Sequence, residues 1–273
     1  MIQYKIIKEL GHGTKGKVYL IEVENKFYAL KIEKLNQVYF WREINFYKNF
    51  ALTYPSNFIQ LIDYEIKDNI VKKIYTLVDT TLDKIIYTLN KFQLLSIIIQ
   101  ITYCVYLLHT NNYVHGDLRA PNIGVNKTTQ THINILSYQI PTYGWVVQLI
   151  DFGSIGEKNE AIKLNDLEWY ENKFSTELTK LANIFINKSK LKLIDTYCQI
   201  HNCSSTSNIV PGMDLWIDKY LNTKDYYYKL IGKKVKNKYI PKLLIDKNDI
   251  IDYIKLSIKP LDLIDYFYKK YFY

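Results

Sequence analysis

Cysteine is scarce in this chain of 273 residues, which has only Cys104, Cys198 and Cys203. An odd, small number of cysteines argues against the disulfide framework of small secreted domains. No signal peptide is expected before the first predicted strand, so we expect an intracellular, cytoplasmic location. Cys198 and Cys203 flank His201, but a fourth ligand is lacking and the spacing is not that of a zinc knuckle. We interpret them as ordinary thiols.

Arginine is rarer still, since Arg42 and Arg119 are the only arginines among 36 basic residues. The net charge of +9 could indicate a nucleic-acid or acidic partner. However, lysine, isoleucine, asparagine and tyrosine are abundant throughout, as expected if AT-rich codons bias the whole chain. We interpret the densest lysine group, residues 233–238, as a solvated loop and expect no nucleic-acid binding.

Long apolar runs are also lacking, except for residues 92–108. Polar side chains, among them Gln93 and Gln100, interrupt this stretch. It leads directly to a polar motif that begins at His115. We therefore predict a buried helix here, rather than a membrane span, and expect no membrane association.

That polar motif is suited to phosphate chemistry. Residues 115–122 read His-Gly-Asp-Leu-Arg-Ala-Pro-Asn, and residues 149–153 read Leu-Ile-Asp-Phe-Gly. Phosphoryl transfer is catalysed mainly by positioning and charge stabilisation. One aspartate to orient a hydroxyl, with an asparagine and a second aspartate to hold metal, is almost the full set of groups required.

The two stretches resemble the catalytic loop, H-R-D-L-x-x-x-N, and the magnesium loop, D-F-G, of the eukaryotic protein-kinase-like superfamily. The resemblance implies that Asp117 orients the acceptor hydroxyl and that Asn122 and Asp151 bind Mg²⁺ with ATP as phosphate donor. Gly116 replaces an arginine that pairs with a phosphorylated residue in activation-loop-regulated kinases, so that form of switching is not expected. His-Gly-Asp is most similar to the vaccinia-related and casein-kinase-like branch and to kinase-like proteins of large DNA viruses. A viral protein would act in the host cell or the virion.

The amino-terminal part supplies a glycine pattern. Gly11, Gly13, Gly16 and Val18 fit G-x-G-x-x-G-x-V. Alone this pattern also suits a surface hairpin or a dinucleotide-binding turn, but such a turn opens a helix, whereas residues 17–23 alternate as a strand does. The resemblance implies that the glycines cover the ATP phosphates and that Val18 covers the adenine.

Residues 28–32, Tyr-Ala-Leu-Lys-Ile, match the strand of the family that carries the phosphate-binding lysine. The resemblance implies that Ala29 belongs to the nucleotide site and that Lys31 contacts the α- and β-phosphates. A helix glutamate would hold this lysine. Glu43, in a predicted helix over 41–47, is the best-placed residue, although Glu33 lies only a short segment before it.

Arg119 takes the position where serine/threonine kinases usually carry a lysine that meets the γ-phosphate. Its forked donors suit a phosphate or a carboxylate. We expect a phosphate contact; the alternative is an ion pair that holds Asp117 out of use.

Two stretches depart from the kinase pattern. Residues 123–148 show a polar turn between apolar alternating flanks, which predicts an extended hairpin before the magnesium loop. Beyond Asp151 no Ala-Pro-Glu follows, and residues 171–187 already show helical spacing. We therefore expect a short activation segment, weaker peptide recognition and activity without phosphorylation.

These observations predict an α+β, two-lobed kinase-like fold in a single domain, 1–273. A small β-rich lobe would run to about residue 80 and a mainly helical lobe would follow, with further helices at 191–200, 215–221, 226–231 and 250–258. The expected function is that of an ATP-dependent serine/threonine kinase acting on a protein. A pseudokinase that serves as a nucleotide-binding interaction module, and a small-molecule kinase, are the alternatives.

Overall fold

The structure is a computed structural model and describes residues 2–13, 16–86, 88–178, 186–187, 242–243 and 259–273. The helices predicted over 191–200, 215–221, 226–231 and 250–258 lie outside these residues. So do Cys198, His201, Cys203 and the lysine group 233–238.

The first part of the chain forms a five-stranded antiparallel sheet in the order β1-β2-β3-β5-β4. Its strands are β1 (Lys5–His12), β2 (Gly16–Val23), β3 (Lys26–Lys34), β4 (Leu61–Lys67) and β5 (Ile70–Tyr75). Two of the hairpins turn through a pair of residues with positive φ, Glu24 and Asn25 in one and Asp68 and Asn69 in the other. Such two-residue turns match the twist of the strands that they join.

One helix packs with this sheet. Helix α1 (Gln37–Asn49) follows β3, and the side chain of Asn36 caps its first turn. Its buried face includes Glu43 among apolar residues such as Phe40 and Phe46. A charged residue at this position needs partners inside the protein.

The long apolar stretch forms helix α3 (Lys91–Thr110), which a capping box of Asn90 and Gln93 begins. Its length and composition would allow it to cross a membrane, but 72% of its most apolar window is buried inside the protein. The prediction of a buried helix is confirmed. A short helix, α2 (Leu82–Ile85), precedes α3.

The insertion between the two polar motifs, for which one extended hairpin was predicted, is a nested pair of hairpins. The outer strands β8 (Ile123–Lys127) and β11 (Trp145–Leu149) pair with each other, and β6 (Thr80–Thr81) joins β8 on its other side. The inner strands β9 (His132–Ile135) and β10 (Tyr138–Pro141) form the tip. The turn between β9 and β10 includes Leu136, which has a positive φ.

The segment after Asp151 contains β12 (Gly156–Glu157), paired with β7 (Tyr113–Val114), and then helices α4 (Lys158–Lys163) and α5 (Leu167–Thr176). The predicted helix over 171–187 therefore begins earlier. Its end is wrong, because Ile186–Asn187 (β13) pairs with Lys242–Leu243 (β14). Apolar spacing alone could not reveal that distant strand partner.

Helix α6 (Pro260–Tyr271) packs against α3, and the inserted hairpin contacts it as well. Tyr138 donates a hydrogen bond from its hydroxyl to Asp265 and packs against Tyr268. Phe267 of this helix is buried, whereas Tyr273, which follows the helix, is exposed. The architecture confirms the two-lobed α+β fold; the extent of the single domain and a boundary near residue 80 stay predictions.

Candidate active site

The outer hairpin brings the two predicted metal ligands together. Because Ile123 pairs with Leu149, the residues just outside the ladder, Asn122 and Asp151, lie at the same end of it. The Ile150 N–H donates to the Asn122 carbonyl at 3.0 Å and ties the two motifs directly. Asp151 has a φ of 60°. A left-handed conformation is unfavourable for aspartate, so the surrounding structure must impose it.

The predicted catalytic loop closes on itself. The side-chain amide of Asn122 donates to the Asp117 carbonyl at 2.8 Å and to Asp117 Oδ2 at 2.9 Å. Arg119 Nε also donates to Oδ2, at 3.1 Å. Among the described residues, all side-chain hydrogen bonds of Asp117 fall on this one oxygen, which leaves Oδ1 for an acceptor hydroxyl. Arg119 thus forms an ion pair with Asp117 in this structure, and its contact with a phosphate stays a prediction.

His115 has no role predicted from the sequence. It links the catalytic loop to the magnesium loop through its two ring nitrogens. It is fully buried, and its Nε2 lies 3.0 Å from the Ile150 carbonyl while its Nδ1 lies 3.3 Å from the Asp117 N–H. These contacts suit an Nε2–H that donates to the Ile150 carbonyl and an Nδ1 that accepts from the Asp117 N–H. Its ring packs on Phe152, which in turn packs on Phe46 of α1. The catalytic loop, the magnesium loop and α1 share one aromatic core.

Gly116 has a structural reason for replacing the family's arginine. Its φ is +81°, and a Cβ there would lie less than 3.0 Å from the Ser154 carbonyl. Its N–H donates to Glu177 Oε1 at 2.7 Å, and Glu177 Oε2 lies 3.1 Å from His109 Nε2. Burial alone would raise the pKa of Glu177, but the hydrogen bond and charge of His109 outweigh it and lower that pKa.

Lys31 lies in the site with different partners from those predicted. Its Nζ is 2.7 Å from Asp151 Oδ1 and 3.1 Å from Glu33 Oε2. The expected ion pair with Glu43 is wrong for this structure. Glu43 instead binds the Nζ of Lys73, at 2.6 Å, and accepts from the Tyr75 hydroxyl, at 2.7 Å. Lys73 occupies the place that Lys31 would take in the usual pair.

The charged groups in this cluster shift one another's pKa values. Burial alone would lower the pKa of Lys31, but Asp151 and the two glutamates outweigh it and raise that pKa. Burial alone would raise the pKa of Asp151, but Lys31 outweighs it and lowers the pKa to about 2. Both groups are therefore charged at neutral pH, as phosphate and metal binding require.

The glycine segment joins β1 to β2, as predicted. Gly13 N–H donates to the Gly16 carbonyl at 2.9 Å. A Cβ at Gly11 or Gly13 would meet nothing within 4 Å, so open space lies beside both residues. Gly16 differs, because a Cβ there would press on the backbone of β3. Space for a ligand therefore supports Gly11 and Gly13, whereas strand packing accounts for Gly16.

Val18 and Ala29 lie on the paired strands that form one side of the site. Val18 is opposite Lys31 in the ladder, and Ala29 is opposite Tyr75. Both are half-buried. Their positions beside Lys31 suit an adenine that enters between the lobes.

The donor atoms at the end of the hairpin suit a hard cation. Asp151 supplies carboxylate oxygens, and the amide nitrogen of Asn122 is engaged by Asp117, which leaves its Oδ1 for a ligand. The described residues contain no group of three or more histidine, cysteine, aspartate and glutamate side chains that could hold a metal by themselves. Mg²⁺ is usually held by one or two protein groups together with phosphates, and Asn122 and Asp151 would be such groups.

Arg42 makes a contact that no motif indicated. Its Nε donates to Glu160 Oε2 at 2.6 Å, and the arginine side chain is only 9% exposed. The bond joins α1 to α4, in the segment after Asp151.

The fold and these motifs together define a phosphotransferase of the protein kinase class. Residues 4–177 match the protein kinase domain family, and the chain belongs to that family. Family membership implies the use of ATP and a divalent metal and, in general, a protein substrate.

A curated relative is the protein named "Putative serine/threonine-protein kinase YPL150W" of Saccharomyces cerevisiae (strain ATCC 204508 / S288c). It is 29% identical over an alignment of 133 residues, and the match covers 45% of this chain and 14% of the yeast protein. The chain thus matches about one seventh of its relative's length. Neither comparison concerns viruses, so the viral branch stays a prediction.

Proposed function

We propose that this protein is an active serine/threonine protein kinase with a short activation segment. The observation that carries the proposal is the joining of the two motifs. The Asn122 side chain donates hydrogen bonds to both the backbone and the side chain of Asp117. Ile150, the residue before Asp151, donates a hydrogen bond from its N–H to the Asn122 carbonyl. A possible base and two possible metal ligands thereby share one rigid frame, and such positioning is the main source of catalysis in phosphoryl transfer.

Each residue has a role that its contacts support. Asp117 orients the acceptor hydroxyl with Oδ1 and takes up its proton as the new P–O bond to the γ-phosphorus forms and the bond from that phosphorus to the ADP leaving group breaks. Asn122 and Asp151 would hold Mg²⁺, which offsets the charge of the phosphates when bound. Lys31 holds the α- and β-phosphates. The glycines at 11 and 13 allow the backbone to approach the phosphates closely.

Arg119 acts on the transferring phosphate in this proposal. Its side chain is 59% exposed, and the bond to Asp117 is an exposed ion pair of little net strength. The arginine can therefore turn from Asp117 to a nearby phosphate at small cost. When the substrates are bound, Asp117 is then no longer paired with Arg119.

Serine or threonine of a protein is the proposed acceptor. The yeast relative's name supports the residue type, and family membership supports a protein substrate. The proposal also includes an intracellular location, which the free thiol of Cys104 supports.

One observation favours a second candidate, a pseudokinase. Arg119 holds Asp117, and Lys31 holds Asp151, so the base and a metal ligand are both paired. The retention of Lys31, Asp117, Asn122 and Asp151 together favours the active enzyme.

Incubation with Mg²⁺, labelled ATP and casein distinguishes the two candidates. The active kinase labels casein or itself, and Asp117→Asn removes the label while an ATP-induced rise in Tm persists. A Tm rise without labelling in the wild type supports the pseudokinase. Full labelling by Lys31→Met would show that the site is assigned to the wrong lysine.

A further inference from the structure

We propose that Glu33, rather than the helix residue Glu43, is the carboxylate that positions Lys31, and that Lys73 is what reassigns this role. The inference rests on the proposed function and names positioning residues for it. Its basis is a row of alternating charges that runs from the magnesium loop to the core: Asp151, Lys31, Glu33, Lys73, Glu43.

The register of the sheet places these groups together. Lys31 and Lys73 are directly opposite each other on β3 and β5. Glu33 lies two residues beyond Lys31, so the two side chains are on the same face of β3. Two like charges on directly opposite residues destabilise a sheet unless opposite charges lie between them. Glu33 provides that charge, since it contacts the ammonium groups of both lysines.

Each carboxylate oxygen of Glu33 and Glu43 has a partner in this cluster. Glu33 uses Oε2 for Lys31 and Oε1 for Lys73. Glu43 uses Oε2 for Lys73 and Oε1 for the Tyr75 hydroxyl. Both oxygens of Glu43 thus have partners already. No ion pair within 4.0 Å joins Glu43 to Lys31 among the residues that the structure describes.

Burial makes this arrangement costly to rearrange. Lys73 is fully buried, and the side chain of Glu43 is 2% exposed. A buried charge is tolerated only with partners, and removal of one partner leaves the other uncompensated. Lys73 therefore cannot leave Glu43 while α1 stays packed, and Glu43 cannot turn to Lys31 without leaving Lys73 half-paired.

The arrangement has a consequence for nucleotide binding. When Asp151 turns to a metal ion, Lys31 loses its partner at 2.7 Å and keeps Glu33. Glu33 then determines where the lysine ammonium points. Glu43 and Lys73 fasten α1 to the sheet, one step removed from the phosphates.

The test compares two isosteric changes, Glu33→Gln and Glu43→Gln, in the full chain. Each keeps the side-chain shape and removes the charge. Steady-state kinetics give KM for ATP and kcat, and the Tm rise produced by Mg-ATP gives a second readout of binding. We expect Glu33→Gln to raise KM for ATP about tenfold or more, because a charge-assisted bond to Lys31 is lost. We expect a smaller rise in KM but a larger fall in Tm from Glu43→Gln.

Lys73→Met sharpens the comparison. It frees Glu43, so the penalty of Glu33→Gln should shrink in the Lys73→Met background as Glu43 takes over Lys31. If Lys73→Met fails to fold, the two single variants still decide the matter.

Three results would overturn the inference. A larger KM increase in Glu43→Gln would assign Lys31 to the helix glutamate. Equal increases in the two variants would show that Glu33 has no special role in positioning Lys31. Either result leaves the proposed function standing. A wild type with neither phosphate transfer nor an Mg-ATP-induced Tm rise would overturn the proposed function and this inference together.

Discussion

Replacement of Gly116 by alanine tests whether the local structure explains why this chain lacks the family's catalytic-loop arginine. The backbone there has a φ of +81°, and any Cβ would press on the Ser154 carbonyl at less than 3.0 Å. An arginine would meet the same obstacle, because it carries the same Cβ. The local structure therefore requires a glycine at this position. The glycine also removes the regulatory contact that the family's arginine makes.

The magnitude follows from two separate costs. An L-residue in the left-handed region costs about 1–2 kcal/mol. Forcing a methyl group into occupied space costs about 1–3 kcal/mol more. Gly116→Ala should therefore lower the free energy of unfolding by about 2–5 kcal/mol. Any movement that relieves the clash also strains the bond from the Gly116 N–H to Glu177.

Gly144→Ala is the matched control. Gly144 has a φ of +86°, but a Cβ there would meet nothing within 4 Å. This change should show the backbone cost alone, about 1–2 kcal/mol. Urea unfolding of the wild type and both variants, followed by fluorescence, measures the difference. If Gly116→Ala is no more destabilising than Gly144→Ala, the close approach of Ser154 is not what excludes a side chain.

Three further predictions concern other contacts. A double-mutant cycle of Arg42→Met and Glu160→Gln, followed by urea unfolding, should give a coupling energy of about 1 kcal/mol or more, because the arginine is largely buried; a coupling near zero would refute a link between α1 and α4. The lowered pKa of Glu177 contributes stability above its ordinary value of 4.5, and this is lost as the pH falls through the lowered value. Tm measured from pH 7 to 3 should therefore fall more steeply in the wild type than in Glu177→Gln, and parallel curves would contradict this. Burial raises the pKa of Cys104 to about 12, so alkylation mapped by mass spectrometry should modify this thiol only after unfolding; rapid modification of the native protein would show that it is accessible.

Much of the site could be predicted because its residues lie in short motifs. Asp117 and Asn122 are in one loop, and their contact follows from the local turn. Asp151 is distant in sequence, yet the pattern of the intervening hairpin predicted strands that return the chain to the same place. Where the hairpin turns could not be predicted, because Leu136 is an unusual residue for a positive φ.

The partners of Lys31 could not be predicted in the same way. Glu43 was chosen by its position in a helix, and nothing local indicates that Lys73 would be buried against it. That contact depends on the register of β3 and β5 and on the packing of α1, which are properties of the whole lobe. The same holds for Arg42, whose partner Glu160 is far along the chain.

The central claim is tested most directly by the rate of phosphate transfer from Mg-ATP to a protein acceptor, measured side by side for the wild type and Asp117→Asn. The account predicts that Asp117→Asn lowers kcat by about 10²- to 10⁴-fold, the usual contribution of a positioned base, while the Tm rise produced by Mg-ATP stays as large as in the wild type. Equal rates in the two proteins would contradict the claim that Asp117 orients the acceptor hydroxyl in this kinase.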